Sequence, residues 1–235
     1  MIRYLIKFTK ESSVKFIGHL DVMRTIQRMI RRSGLPVQYS RGFNPHINMS
    51  IAQPLSVGVY SCGEYMDISF EREMEEDEII GRLNENAPLG LRILEVKPIK
   101  DNPDGKIFKS MAEVYAARYI IKIKYVDTSN LVSDMNELME RDVWKAMKKT
   151  KRGAAETNIK RFVKEMSYKL EDGILILDTV ISCGSRDNLS AGLLADYILK
   201  NTREFDRNAF IDIMRKEMYG MYNDELIPLI REVEF

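Results

Sequence analysis

The chain is expected to adopt an α+β fold: an N-terminal ferredoxin-like β-α-β-β-α-β unit followed by a second, smaller α+β unit. Three observations predict it. Residues 2–8 alternate apolar and polar side chains, the period of a half-buried strand. Residues 18–32 instead carry apolar side chains at helical spacing. The segments that follow, to about residue 96, read in turn as strand, strand, helix and strand, which is the order of the split βαβ unit.

In the 18–32 helix, Val22, Met23, Ile26, Met29 and Ile30 share one face at about 100° per residue, and Arg24, Arg28, Arg31 and Arg32 gather on the other. Ser33-Gly34 ends it, with Pro36 shortly beyond. A strand over 37–39 is interrupted by Gly42-Phe43-Asn44-Pro45-His46 and resumes over 47–52. Residues 53–63 hold Pro54, Gly58 and Gly63 and read as a connection. Residues 64–70 alternate, Tyr65 and Asp67 against Met66, Ile68 and Phe70. Glu75, Glu76 and Asp77 suit the positive end of a second helix running to about residue 86, Ala87-Pro88-Leu89-Gly90 breaks it, and 91–96 is a strand. Both helices are expected on one face of an antiparallel sheet.

Turn-rich residues 100–105 mark a boundary, giving a first domain over 1–100 and a second over 106–235. In the second, 114–126 reads as a strand and 127–140 as a helix capped by Asp127, Thr128 or Ser129. Residues 143–150 read as a strand turning at 150–153, and 166–171 with 173–182 as a hairpin. Helices are expected over 190–200 and 206–218. No sequence repeat between the halves is visible.

Composition narrows the function classes. Of 235 residues, 45% are hydrophobic and 30% charged, as in soluble globular proteins. No stretch approaches the ~18 apolar residues of a membrane span, and residues 1–7 alternate too briefly for a signal peptide, so a cytoplasmic location without membrane contact is expected. The cysteines, Cys62 and Cys183, form no C-x-x-C and read as two unpaired thiols. The net charge of +1 conceals segregation. Residues 1–63 hold nine basic against two acidic side chains, 64–78 eight acidic against one basic, and 145–164 eight basic against one acidic. Such blocks either steer a charged partner or neutralise one another within the fold.

Both histidines lie in the first 46 residues, each in a dense motif. Gly18-His19-Leu20-Asp21 opens a helix, where Asp21 complements the macrodipole. In the second motif, Gly42 permits positive φ and Pro45 fixes its own φ, so Phe43, Asn44 and His46 are held in set directions. That loop is either a partner or substrate loop or a structural turn whose histidine satisfies the backbone. Arg24, Arg28 and Arg31, at i, i+4 and i+7, either grip phosphates or carboxylates or form a solvated face neutralised by Glu64 or Asp67. Two histidines and an aspartate lack a third firm ligand, so no metal is assigned, and no cofactor. The basic segment from Trp144 to Arg152 has the composition of an RNA-binding surface and equally of a lysine-protected edge strand. The common phosphate-loop, dinucleotide, hydrolase-elbow, zincin and radical-cluster signatures are absent.

Taken together, Ile17-Gly18-His19-Leu20-Asp21, Arg24, Arg31-Arg32, Leu35-Pro36, Ser40-Arg41-Gly42-Phe43-Asn44-Pro45-His46, Pro54-Leu55 with Gly58, and Ser61 with Glu64 resemble the radical SAM-linked protein family, a bacterial domain of unknown function. The likeness spans the first hundred residues and continues more weakly through Lys151-Arg152-Gly153. Gly18 and Ile47 depart from its usual pattern. Members stand alone or follow a cobalamin-binding radical SAM enzyme. The resemblance therefore implies an accessory partner of such an enzyme, since this chain lacks the cluster-binding cysteine triplet. No catalytic role is implied for any residue. His19, Asp21, Arg24, Arg28, Arg31, Phe43, Asn44, His46 and Glu64 are the candidate binding residues. The other readings are an RNA-binding or RNA-processing module and a histidine- or metal-dependent hydrolase.

Overall fold

A computed structural model describes residues 2–100, 108–150 and 153–233. The fold is mixed α+β around a large, mostly antiparallel sheet. The elements of the first half are β1 (Ile2–Lys10), α1 (His19–Ser33), β2 (Met49–Ile51), β3 (Val59–Phe70), α2 (Glu76–Glu85) and β4 (Leu91–Ile99). They are followed by α3 (Ser110–Glu113), β5 (Ala116–Lys124), α4 (Leu131–Glu140), β6 (Lys145–Thr150) and β7 (Gly153–Asn158). The rest comprises β8 (Val163–Glu171), β9 (Ile174–Ser182), α5 (Ala191–Asn201), β10 (Asp212–Tyr222), β11 (Glu225–Pro228) and α6 (Leu229–Glu232). Of the turn-rich stretch 100–105 expected as a boundary, residues 101–105 lie outside the described residues, as do Lys151 and Arg152.

In the first half β1 lies between β4 and β3, and β2 pairs with the far end of β3, every pair antiparallel. Alternation assigns the faces. Tyr4, Ile6 and Phe8 of β1 join Met66, Ile68 and Phe70 of β3 in one buried cluster, and Val22, Ile26, Met29 and Ile30 of α1 with Ile79 and Leu83 of α2 close it. Burying such a side chain contributes about 1.5–3 kcal/mol each, so this stripe, more than helix propensity, holds α1 in place. Gly34 ends α1 with a left-handed φ of 60°. The Arg82 side chain of α2 donates to the Ser33 carbonyl at 3.0 Å, satisfying one orphan acceptor of that terminus.

The second half repeats the same connections. Strand, helix, strand, strand, helix, strand become β5, α4, β8, β9, α5 and β10, and their lateral order β10-β5-β9-β8 matches β4-β1-β3-β2. The β6–β7 hairpin, which pairs only with itself among the described residues, is inserted between α4 and β8. In the first half the same connection, between α1 and β2, carries the Gly42–His46 loop. The two halves join where β10 runs parallel to β3, Ile213 opposite Val59 and Arg215 opposite Ser61. The second half is the longer of the two, not the smaller.

Several sequence expectations change. Residues 206–218 are not a helix: β10 spans Asp212–Tyr222. Its buried side includes Ile213 and Arg215, and a charged residue in the apolar register hides the period-two signal. β3 starts at Val59, inside the expected connection, and β4 extends to Ile99. Val37 and Tyr39 form isolated bridges and no continuous strand. The expected cap Asp127 binds the Ser129 amide at 2.9 Å ahead of the helix, and Asn130 is the N-cap of α4.

Asp134, in the first turn of α4, accepts from the Arg203 side chain (Nη2 at 2.5 Å) and from its backbone amide at 3.0 Å. The Arg203 hydrogen bonds hold its carboxyl below the usual carboxylate range. A depressed folded-state pKa stabilises above the unfolded value and is lost as pH falls through the folded one. Asp134→Asn is therefore expected to flatten the acid limb of a Tm-against-pH curve below about pH 4. An unchanged limb would refute it.

Candidate functional site

The centre of the molecule holds a buried ion pair that joins the halves. Glu64 of β3 accepts from Arg215 of β10 through both oxygens, at 2.7 Å from Nε and 2.5 Å from Nη2. Nη2 also donates to the Gln53 carbonyl at 2.6 Å. Arg215 is 1% exposed. Two strand irregularities place these side chains. On β3 two residues, Cys62 and Gly63, oppose one of β1, Thr9, between the pairs Phe8–Glu64 and Lys10–Ser61, and β10 shifts register between Arg215 and Glu217. The two sites touch at Gly63, where a Cβ would lie 2.7 Å from the Lys216 carbonyl oxygen, so only glycine fits.

A second buried cation stands beside this pair. Lys10, 2% exposed, donates to the carbonyls of Lys15 at 3.0 Å and Val59 at 3.3 Å. Burial lowers its pKa, Glu64 opposes that shift and Arg215 adds to it. Lys10, His19 and Glu64, with Phe8, Val22 and Ile51, line a small cavity of about 10 Å³ under the start of α1. On the other side of Arg215 opens a cleft of about 290 Å³. The 53–57 loop of the first half walls it on one side and the N-terminus of α5 on the other, with Val59, Tyr119, Ile213 and Arg215 among its lining. Burial raises the pKa of the Cys183 thiol in its wall, so that thiol stays protonated and weakly nucleophilic.

The structure brings two of the sequence-predicted residues together and leaves the others on the surface. His19 and Glu64 share the small cavity. Asp21 pairs with Arg24 at 3.0 Å, both exposed, and Arg28 donates to the Thr25 hydroxyl at 3.1 Å. The arginine row is not neutralised by Glu64 or Asp67, because Glu64 belongs to Arg215 and Asp67 accepts from Ser50 and Ser110. Arg31 is exposed. Phe43, Asn44 and His46 are exposed on a closed loop. The Ser40 amide donates to the His46 carbonyl at 2.8 Å, and the Ser40 hydroxyl accepts from the His46 amide at 3.1 Å and meets Nδ1 at 3.0 Å. His46 is not among the residues lining either cavity. Sequence reasoning missed Lys10, Tyr119, Ser190 and Arg215. The one available signal was an arginine in register with Ile211 and Ile213.

The basic segment is the β6–β7 arm. Lys145 pairs with Glu156 at 3.3 Å, and the Lys148 ammonium sits 4.1 Å from the Phe162 ring centroid. Trp144 is not available for stacking on a base, because it is buried against α4 and α5 with its ring stacked on Tyr197 at 5.5 Å. A groove of about 980 Å³ separates the arm from α5.

Among the described residues, no cluster of three or more His, Cys, Asp or Glu side chains is arranged to hold a metal, and no helix is long and apolar enough to cross a membrane. Both cysteines are free. The family described as "Uncharacterized protein conserved in bacteria (DUF2344)" matches residues 3–191. No curated protein matches the chain. Among solved structures, a chain of a Cbf5-Nop10-Gar1 complex is similar over 92% of this chain at 9% identity and a TM-score of 0.47. This chain spans 48% of that one's length. An unknown protein from Galdieria sulphuraria gives 10% identity and a TM-score of 0.25, with 92% of this chain and 99% of that one covered. A glycine cleavage system transcriptional repressor, described as putative, gives 10% identity and a TM-score of 0.23 over the same shares.

Proposed function

The chain belongs to the DUF2344 family of uncharacterised bacterial proteins, and from that premise we propose that it is a cytoplasmic, non-catalytic accessory protein that docks a radical SAM enzyme. We read each half as a ferredoxin-like unit, supported by the repeated strand order. The observation that carries the docking role is an exposed apolar surface before α1. Phe16 and Phe210 meet edge to face, with ring centroids 6.0 Å apart, and Phe210 remains 81% exposed. Leu20, in the first turn of α1, is 65% exposed, and the arginine row follows on the same helix. Exposed, positioned aromatics beside arginines are typical energetic centres of protein interfaces. The partner's identity rests on the family resemblance of the Gly18–Asp21 and Gly42–His46 motifs.

The test is co-purification with the cobalamin-binding radical SAM enzyme of the same genome. A complex is expected, and Phe16→Asp with Phe210→Asp should weaken it by about 30-fold or more, the loss of a single strong interface anchor. With both proteins folded, failure to form a complex removes the proposal.

A second reading, RNA binding, is favoured by one observation: the β6–β7 arm is a basic ribbon paired to no other strand among the described residues. It expects RNA affinity that falls steeply with salt and weakens in Lys145→Glu with Lys148→Glu. No binding at about 50 mM salt refutes it.

A further inference from the structure

The cleft at the junction of the halves has the character of a ligand site. At about 290 Å³ it lies near the lower end of small-molecule pockets, and such pockets form preferentially where two structural units meet. Its wall is divided about evenly between apolar side chains (Pro54, Leu55, Val59, Leu189, Ile213) and polar groups. We propose that it binds a small organic anion, whose carboxylate or phosphate group sits between Arg215 and the start of α5.

Three observations set the sign of the ligand's charge. First, the buried centre carries two cations, Lys10 and Arg215, and one anion, Glu64. The other carboxylates of β10 are engaged elsewhere, Asp212 by Tyr60 at 2.8 Å and Lys15 at 3.3 Å, and Glu217 by Lys7 at 2.5 Å and Tyr65 at 2.6 Å. Second, Arg215 is not saturated. Nε and Nη2 make hydrogen bonds of 2.5–2.7 Å, but Nη1 reaches the Tyr119 hydroxyl at 3.5 Å, beyond the usual N–H···O range, and the guanidinium's other neighbour is the weakly accepting Cys183 thiol. Buried guanidinium donors ordinarily find short partners. Third, Ala191 and Gly192, the first two residues of α5, both line the cleft. Their amides have no intrahelical acceptor, and they add the partial positive charge of the helix start. Ser190 caps α5 by accepting from the Leu193 amide at 3.1 Å.

Ser190 also gives the test, because aspartate and asparagine cap helices as well as serine does. Ser190→Asp keeps the cap and places a carboxylate in the cleft, and Ser190→Asn keeps the cap without charge. Inorganic phosphate and acetate are titrated to about 50 mM at constant ionic strength into the uniformly 15N-labelled full chain. Amide shifts of Ala191 and Gly192 are read. Saturable shifts with at least one probe are expected in the wild type and in Ser190→Asn, with affinity at least about tenfold weaker in Ser190→Asp. Which probe saturates separates a phosphate from a carboxylate ligand. Shifts that do not saturate with either probe, or saturation that Ser190→Asp leaves intact, overturn the proposal. The readout needs no partner enzyme, so its result is independent of the docking test.

Discussion

Replacing Glu64 by alanine is expected to destabilise the protein by about 3–5 kcal/mol, because removing one partner strands the other charge in the interior. For a chain of this size that lowers Tm by roughly 6–20 °C. The expectation follows from position. Glu64 is the counter-ion of Arg215, which is 1% exposed, and it is the group that opposes the pKa depression of Lys10. Without it, two buried cations flank β3, Lys10 on β1 and Arg215 on β10, both opposite Ser61. The pH dependence has a definite sign. Lys10 titrates below its unfolded value, so the unfolded chain binds more protons in that window and stability rises with pH. Losing Glu64 deepens this depression, so the deficit of Glu64→Ala relative to wild type should narrow between about pH 7 and pH 10. Replacing both partners, Glu64→Leu with Arg215→Met, should recover most of the loss. Thermal unfolding across that pH range decides it: a Glu64→Ala variant melting within about 2 °C of wild type would mean the pair is dispensable.

The same ion pair explains which parts of the architecture were legible in the sequence. The first half was readable because each element is amphipathic about a single buried face. Ile2–Lys10 alternates, and α1 segregates Val22, Ile26 and Ile30 from its arginines. Where polar residues enter the core, the pattern fails. β10 reads as a helix because Arg215 occupies an apolar register position and the shift before Glu217 breaks the alternation. The start of β3 reads as a connection because Ser61 and Gly63 are buried there without hydrophobic side chains. The central cleft was illegible for the same reason: its groups come from positions 53–57, 119, 183–192 and 213–215, which no local motif relates.

The two motifs singled out in the sequence acquire a common position in the fold. The Gly42–His46 loop and the β6–β7 arm both connect the first helix of their half to its second strand. The halves show no visible sequence repeat because what they share is connectivity and burial pattern, and many side chains satisfy either. A connection at that place tolerates insertion because it lies outside the shared sheet. That places the two inserted connections at equivalent points of the halves, while Glu64 and Arg215 stay buried in the shared sheet.

Trp144→Ala is expected to cost about 3–5 kcal/mol, the range for deleting a large buried aromatic. Trp144 is the root of the arm. Its amide donates to the Asn158 side chain at 2.9 Å and its carbonyl accepts from Ile159 at 2.8 Å, which clamps the two ends of the hairpin together. Its indole N–H donates to the Leu138 carbonyl at 3.0 Å near the end of α4, and its ring stacks on Tyr197 of α5. A two-stranded hairpin alone is marginal in water, so the arm borrows its order from this anchor. The variant should therefore show amide-exchange protection falling first in Lys145–Thr150 and Gly153–Asn158, ahead of the central sheet. Trp144→Phe keeps most of the ring burial and loses only the indole hydrogen bond, since the Leu138 carbonyl still accepts from the Arg141 amide at 3.3 Å, a smaller loss of about 0.5–1.5 kcal/mol. Trp144 is the only tryptophan of the chain, so wild-type fluorescence reports directly on this anchor during denaturant unfolding. Equal exchange protection of arm and sheet in Trp144→Ala, or a loss below about 1 kcal/mol, would show that the hairpin is held by its own strands.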